Sequence, residues 1–241
     1  CGLTNLDDAR CAASAGADFL GFILYPKSPR YVAPAQIATI TDVIRVEFGP
    51  NSPRCVGVFV NEPPEHVQAC LDTAGLDLAQ LHGNELPAEV QRLNPYAFKA
   101  IRPPSGADAE ASVALYRATF PENGSLPQLL VDAYHPERYG GTGLQVDLSV
   151  AQPVARQCRL LLAGGLKPET VGAAIRQVQP WGVDVSSGVE KDNGIKDQAR
   201  VRAFVEAARC AGRALERVWS RTSKDRQSGP ARAEIGRGED E

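Results

Sequence analysis

Methionine is absent from the chain, histidine occurs only three times, and none of the six cysteines stands in a C-x-x-C spacing. Without a methionine, Cys1 is not an ordinary retained start, so the sequence reads as truncated or processed ahead of it. The cysteines, at 1, 11, 55, 70, 158 and 210, are scattered and have no Cys/His spacing suited to zinc, so no metal site is expected. They fit a reducing cytoplasm better than a disulfide framework. No apolar run approaches the roughly 20 residues that span a bilayer, and no charged-then-apolar leader opens the chain. A basic stripe is lacking too: 26 Lys and Arg mix with 29 Asp and Glu for a net charge of -3, which argues against a nucleic-acid partner. A cytoplasmic protein acting on a small molecule, without membrane or nucleic-acid partner and as a monomer or homodimer, is the expectation.

What is present is a core and a rhythm. A chain of 241 residues with 43% hydrophobic content can bury one sizeable domain. Short apolar runs at Phe19–Leu24, Cys55–Val60, Leu76–Leu81, Ala97–Ile101, Gln128–Asp132, Leu160–Ala163 and Gly182–Val185 predict strands. Amphipathic stretches between them predict helices at Leu6–Ala15, Pro34–Glu47, Pro64–Ala74, Leu86–Leu93, Ala107–Ala118 and Pro168–Val178. Strand-helix alternation implies a parallel sheet, and runs such as Val56-Gly57-Val58-Phe59-Val60, apolar on both faces, favour a closed (β/α)8 TIM barrel. Seven strands are one short, and the rhythm opens on a loop and a helix, so the first strand is expected upstream of Cys1. A long helix from Lys196 to about Trp219 ends the barrel domain, residues 1–219, and the polar segment 220–241 is expected to be a disordered tail.

Barrel enzymes carry their reacting groups at the C-terminal ends of the strands. Two turns there stand out, Gly164-Gly165 and Ser186-Ser187-Gly188, because glycines let backbone N–H groups approach an anion and the hydroxyls add donors. They point to a phosphorylated ligand, although Gly and Ser also shape ordinary turns. Gly140-Gly141-Thr142-Gly143 is a third glycine-rich loop, expected to close over substrate. Asp132, at a strand end, can give or take a proton, or can simply cap a turn. Cys1, just before a helix, suits a thiolate base, or a small inert core residue. Arg30, on a loop stiffened by Pro26 and Pro29, can clasp a carboxylate or stand in solvent. Gln80 and His82 follow the third strand and face either a ligand or their neighbours.

In order along the chain come Cys1-Gly2-Leu3-Thr4, Gly21-Phe22, Ser28-Pro29-Arg30-Tyr31, Val56 to Asn61, Gln80-Leu81-His82-Gly83, Gly140 to Gly143, Leu162 to Leu166 and Gly182 to Glu190. Together they closely resemble the phosphoribosylanthranilate isomerase family, from Cys1 to about Val205. The resemblance implies an Amadori rearrangement of N-(5-phosphoribosyl)anthranilate in tryptophan biosynthesis, needing no metal or organic cofactor. It implies Asp132 as the general acid that opens the ribose ring and Cys1 as the base that removes the C2 proton. Arg30, Gln80, His82, Gly164, Gly165, Asp184, Ser186, Ser187 and Gly188 then bind substrate, with the two last loops on the phosphate and Arg30 on the carboxylate.

Two departures from the family pattern stand in the chain. No strand precedes Cys1, and Asn84 replaces the aspartate common after Gln-Leu-His-Gly. The first predicts poor stability and weak activity for the chain as it stands. Rival readings are a related sugar-phosphate barrel enzyme and a non-catalytic barrel that only binds a phosphate ligand. An epimerase of the first kind needs metal ligands from several strands, and His82 is the one strand-end histidine. The next synthase of the pathway needs a lysine-rich mouth, which the strand ends do not offer.

Overall fold

Four helices open on proline in the first turn, Pro34, Pro64, Pro87 and Pro168, where the fixed φ suits a helix start and no amide hydrogen bond is lost. Three others are capped by side chains: Asn5 accepts from the Asp8 amide, Ser105 from the Asp108 amide and Asp147 from the Ser149 amide. The computed structural model describes residues 1–133 and 147–227, with side chains up to residue 215.

The elements alternate as α1 (Leu6–Ala15), β1 (Phe19–Ile23), α2 (Pro34–Phe48), β2 (Arg54–Phe59), α3 (Pro64–Ala74), β3 (Leu78–Leu81), α4 (Pro87–Arg92), β4 (Ala97–Ile101) and α5 (Gly106–Tyr116). They continue as β5 (Leu129–Val131), α6 (Leu148–Ala155), β6 (Leu160–Leu162), α7 (Pro168–Val178) and β7 (Gly182–Val183). An antiparallel hairpin follows, β8 (Glu190–Asp192) and β9 (Ile195–Lys196), and then α8 (Gln198–Gln227).

All seven expected strands form one parallel sheet in the order β1-β2-β3-β4-β5-β6-β7, each paired with its neighbour in sequence. Helices cover the outside and their apolar stripes merge with the outward strand residues in one large core. A second, smaller cluster fills the inside of the curved sheet: Val56, Leu78, Phe98, Ala100, Leu130 and Leu161 come from alternate positions on successive strands.

The sheet does not close on itself, since β1 and β7 are its two edges. Between them lies a cavity of about 720 Å³ lined by Phe19, Leu20, Leu161, Val183, Val201 and Phe204 among others. The helical layer does close, because α8 packs against both α7 and α1.

Three differences from the sequence expectation have plain causes. Helix α6 was not foreseen, being eight residues long with Pro153 inside it. The β8–β9 hairpin is too short to show a period of two. Helix α8 runs to Gln227, eight residues into the segment expected to be a disordered tail from residue 220, because no Gly or Pro interrupts the chain between Arg213 and Ser228. The glycine-rich loop Gly140–Gly143 and the rest of the tail lie outside the described residues. Among the described residues no helix is long and apolar enough to cross a membrane.

Candidate active site

Strand alternation builds the site. Leu78 and Leu130 point into the barrel with the interior cluster. Two residues further along the same faces come Gln80 and Asp132, and then His82, so the barrel interior turns from apolar to polar at the C-terminal ends of the strands. A pocket opens there and collects every site residue expected from the sequence: Cys1, Arg30, Gln80, His82, Asp132, Gly164, Gly165, Asp184, Ser186, Ser187 and Gly188.

Asp132, His82 and Gln80 are all buried and form one chain of contacts. The Gln80 amide donates to His82 Nδ1 at 2.8 Å. A neutral imidazole that accepts at Nδ1 carries its proton on Nε2, and this atom stands 3.3 Å from Asp132 Oδ2. The contact is off the hydrogen-bond axis, which leaves the buried His82 Nε2 without a hydrogen-bond partner among the described residues. The other carboxyl oxygen of Asp132 accepts from the Ala133 amide at 2.8 Å, which fixes the direction of the side chain.

Cys1 lines the same mouth as Asp132. Its nitrogen donates to the Val185 carbonyl at 2.9 Å, while Leu3 N donates to the Gly21 carbonyl at 3.0 Å. Residues 1–3 therefore bridge from the end of β7 to β1. The thiol lies on Gly21, where a Cβ would come within 2.9 Å of Sγ, so only glycine leaves the sulfur this seat.

The two glycine and serine turns meet the pocket side by side. Gly164 and Gly165 take φ of 92° and 64°, a left-handed pair that turns the backbone around the mouth. Ser186 Oγ is buried and makes no hydrogen bond among the described residues. A short 3-10 turn, Ser187–Val189, follows it. Such a cradle of amides and hydroxyls suits the oxygens of a phosphate.

Arg30 does not stand in solvent: it is buried, and Nε and one Nη of its guanidinium donate to the two oxygens of Glu190 at 2.8 and 2.7 Å. Lys196 Nζ donates to the same carboxylate at 2.7 Å and to the Ser186 carbonyl at 3.2 Å. Neither Glu190 nor Lys196 was assigned a role from the sequence, since each belongs to a hairpin with no periodic signal. Lys99 and Glu85 were missed as well. They form a buried ion pair at 3.1 Å beneath the His82 loop, and a lone lysine in the apolar strand Ala97-Phe98-Lys99-Ala100-Ile101 was the available signal.

Burial pushes the Glu190 carboxyl up, but the hydrogen bonds from Arg30 and Lys196 outweigh it and hold the group below the usual carboxylate range. In acid the unfolded chain then takes up this proton first, so stability rises with pH through that window and is lost as pH falls through the folded value. The Glu190→Gln chain should melt lower at pH 7 than the wild type, with a melting temperature that falls less steeply below about pH 4.5. Thermal melts from pH 3 to 7 decide this, and parallel curves for the two chains would contradict it.

A family model described as N-(5'-phosphoribosyl)anthranilate (PRA) isomerase matches residues 1–207. The chain belongs to this family. An N-(5'-phosphoribosyl)anthranilate isomerase of Citrifermentans bemidjiense is 42% identical over 209 residues, 87% of this chain and 95% of that protein. One from Pseudomonas fluorescens is 40% identical over 215 residues, covering 89% and 96% of the two chains. Among solved structures, the phosphoribosyl anthranilate isomerase of Thermotoga maritima is similar with a TM-score of 0.75 at 37% identity, covering 87% of this chain and 96% of that one. A phosphoribosyl anthranilate isomerase in complex with reduced 1-(o-carboxyphenylamino)-1-deoxyribulose 5-phosphate gives 0.72 at 36% identity, covering 87% and 96%. The fold of the family is the TIM barrel, and the seven-stranded sheet of this chain is an incomplete ring of the same kind.

Proposed function

We propose that this chain catalyses the Amadori rearrangement of N-(5-phosphoribosyl)anthranilate to 1-(2-carboxyphenylamino)-1-deoxyribulose 5-phosphate, an isomerisation of tryptophan biosynthesis. The observation that carries the reading is the convergence in one barrel mouth of a carboxyl group, a thiol and two phosphate-type turns, within a chain of this family.

Each group has a place in the reaction. The turns at Gly164-Gly165 and Ser186-Ser187-Gly188 hold the phosphate, with the unpartnered Ser186 hydroxyl as one donor. Protonated Asp132 gives its proton to the ribose ring oxygen. The bond from that oxygen to C1 breaks as the anilino nitrogen forms a C=N bond. Cys1, as thiolate, takes the proton from C2, and the electron pair left behind forms a C1=C2 bond while the C=N electrons return to nitrogen. The enolamine loses its O–H proton and gains one at C1 to become the ketone. No atom is gained or lost overall, and proton exchange resets Asp132 and Cys1. His82, with its Nε2–H at the Asp132 carboxyl, lies where it can donate to a sugar oxygen.

Consumption of phosphoribosylanthranilate, followed by loss of its fluorescence, tests the reading. Turnover by the purified chain is expected. Binding of phosphorylated ligands with no turnover, in this chain and in one extended by an upstream strand, would favour the non-catalytic barrel.

A further inference from the structure

Arg30, Glu190 and Lys196 form a buried cluster at the edge of the site, with side chains 6, 6 and 1% exposed. Arg30 lines the pocket, while Glu190 and Lys196 stand behind it. The geometry divides the guanidinium into two edges. Glu190 takes Nε and one Nη, and a guanidinium has five N–H donors in all, so the opposite edge is left for the pocket.

Charge makes the arrangement informative. A carboxylate clamped on an arginine cancels most of its field, and Arg30 with Glu190 alone would offer a substrate anion little attraction. Lys196 changes this, because its ammonium sits on the same carboxylate. Two cations share one anion, so these three groups together carry one positive charge, which Asp184 nearby offsets in part. Asp184, the other acid of this wall, stands 3.8 Å from the Cys1 nitrogen. Lys196 also reaches the Ser186 carbonyl, so one buried ammonium touches both the phosphate turn and the support of Arg30.

We propose that Glu190 and Lys196 are positioning residues that set substrate specificity: Glu190 fixes one edge of Arg30, and Lys196 offsets the charge of Glu190. Arg30 then presents a positive charge that Glu190 does not cancel to a substrate whose aromatic ring bears a carboxylate. The inference rests on the phosphoribosylanthranilate reading above.

The test compares two ligands on the same protein preparation: the reduced product analogue bearing the ring carboxylate, and reduced 1-phenylamino-1-deoxyribulose 5-phosphate, which lacks it. Any unfolded fraction cancels in the ratio of their dissociation constants. The wild type should bind the carboxylated ligand at least about tenfold more tightly, as a charge-assisted hydrogen bond to arginine allows. In Lys196→Met the ratio should fall to within about threefold, with KM raised and kcat nearly unchanged, as for lost uniform binding. Lys196→Arg should keep the wild-type ratio, and Glu190→Asp, whose carboxylate is one methylene too short to reach the guanidinium, should lose it. A merely structural role would weaken both ligands alike and leave the ratio untouched, which would overturn the proposal, as would a wild-type ratio near one. A wild type without turnover would sink the functional reading, whereas the ratio would still decide the role of Lys196.

Discussion

In the Asp132→Asn chain, turnover of phosphoribosylanthranilate should fall by about 10²- to 10⁴-fold, with KM changed by less than about threefold. The substitution is nearly isosteric. Its amide oxygen still accepts from the Ala133 N–H, so the side chain keeps its direction. What it loses is the proton that the ribose oxygen must receive before the ring opens. The amide NH₂ also faces the His82 N–H, an unfavourable pair, so a fall of no more than about 5 °C in melting temperature is expected. Cys1→Ser should lose turnover by a similar factor, because a hydroxyl at neutral pH is a far weaker base than a thiolate. Stopped-flow fluorescence with matched thermal melts separates lost chemistry from lost fold. Wild-type turnover by Asp132→Asn would end its assignment as the acid.

A chain extended upstream of Cys1 by an apolar strand of about five residues should melt about 10 °C or more higher than the 241-residue chain and turn over faster. The sheet itself says where that strand goes. Cys1 N already bonds to Val185 O and Leu3 N to Gly21 O, so residues 1–3 occupy the top of the gap between β7 and β1. Residues ahead of them would continue the same parallel ladder down both open edges, filling the cavity of about 720 Å³ beneath. Each apolar side chain buried there contributes about 1.5–3 kcal/mol, and an unpaired edge is an aggregation hazard besides.

Equal melting temperatures and equal turnover for the two chains would refute the expectation.

The strands and most helices were legible because their causes are local. Prolines at 34, 64, 87 and 168 mark helix starts, and runs such as Leu160-Leu161-Leu162 are apolar on both faces only in a covered sheet. Helix α6, interrupted by Pro153, and the β8–β9 hairpin, whose strands Glu190-Lys191-Asp192 and Ile195-Lys196 are mostly charged, were not legible because neither shows an apolar pattern of its own.

At the site the same division holds. Gly164-Gly165, Ser186-Ser187-Gly188, Asp132 and Cys1 lie at strand ends, and the barrel's symmetry alone brings strand ends to one mouth. The sequence by itself therefore determined the alternating parallel architecture, the family and the list of groups facing the pocket. Only the tertiary structure decided their electrostatics: that Gln80 sets the proton of His82 toward Asp132, and that Arg30 shares Glu190 with Lys196. Arg30 and Glu190 lie 160 residues apart in the chain and His82 and Asp132 follow different strands, and no periodicity or turn chemistry encodes which buried charges will meet.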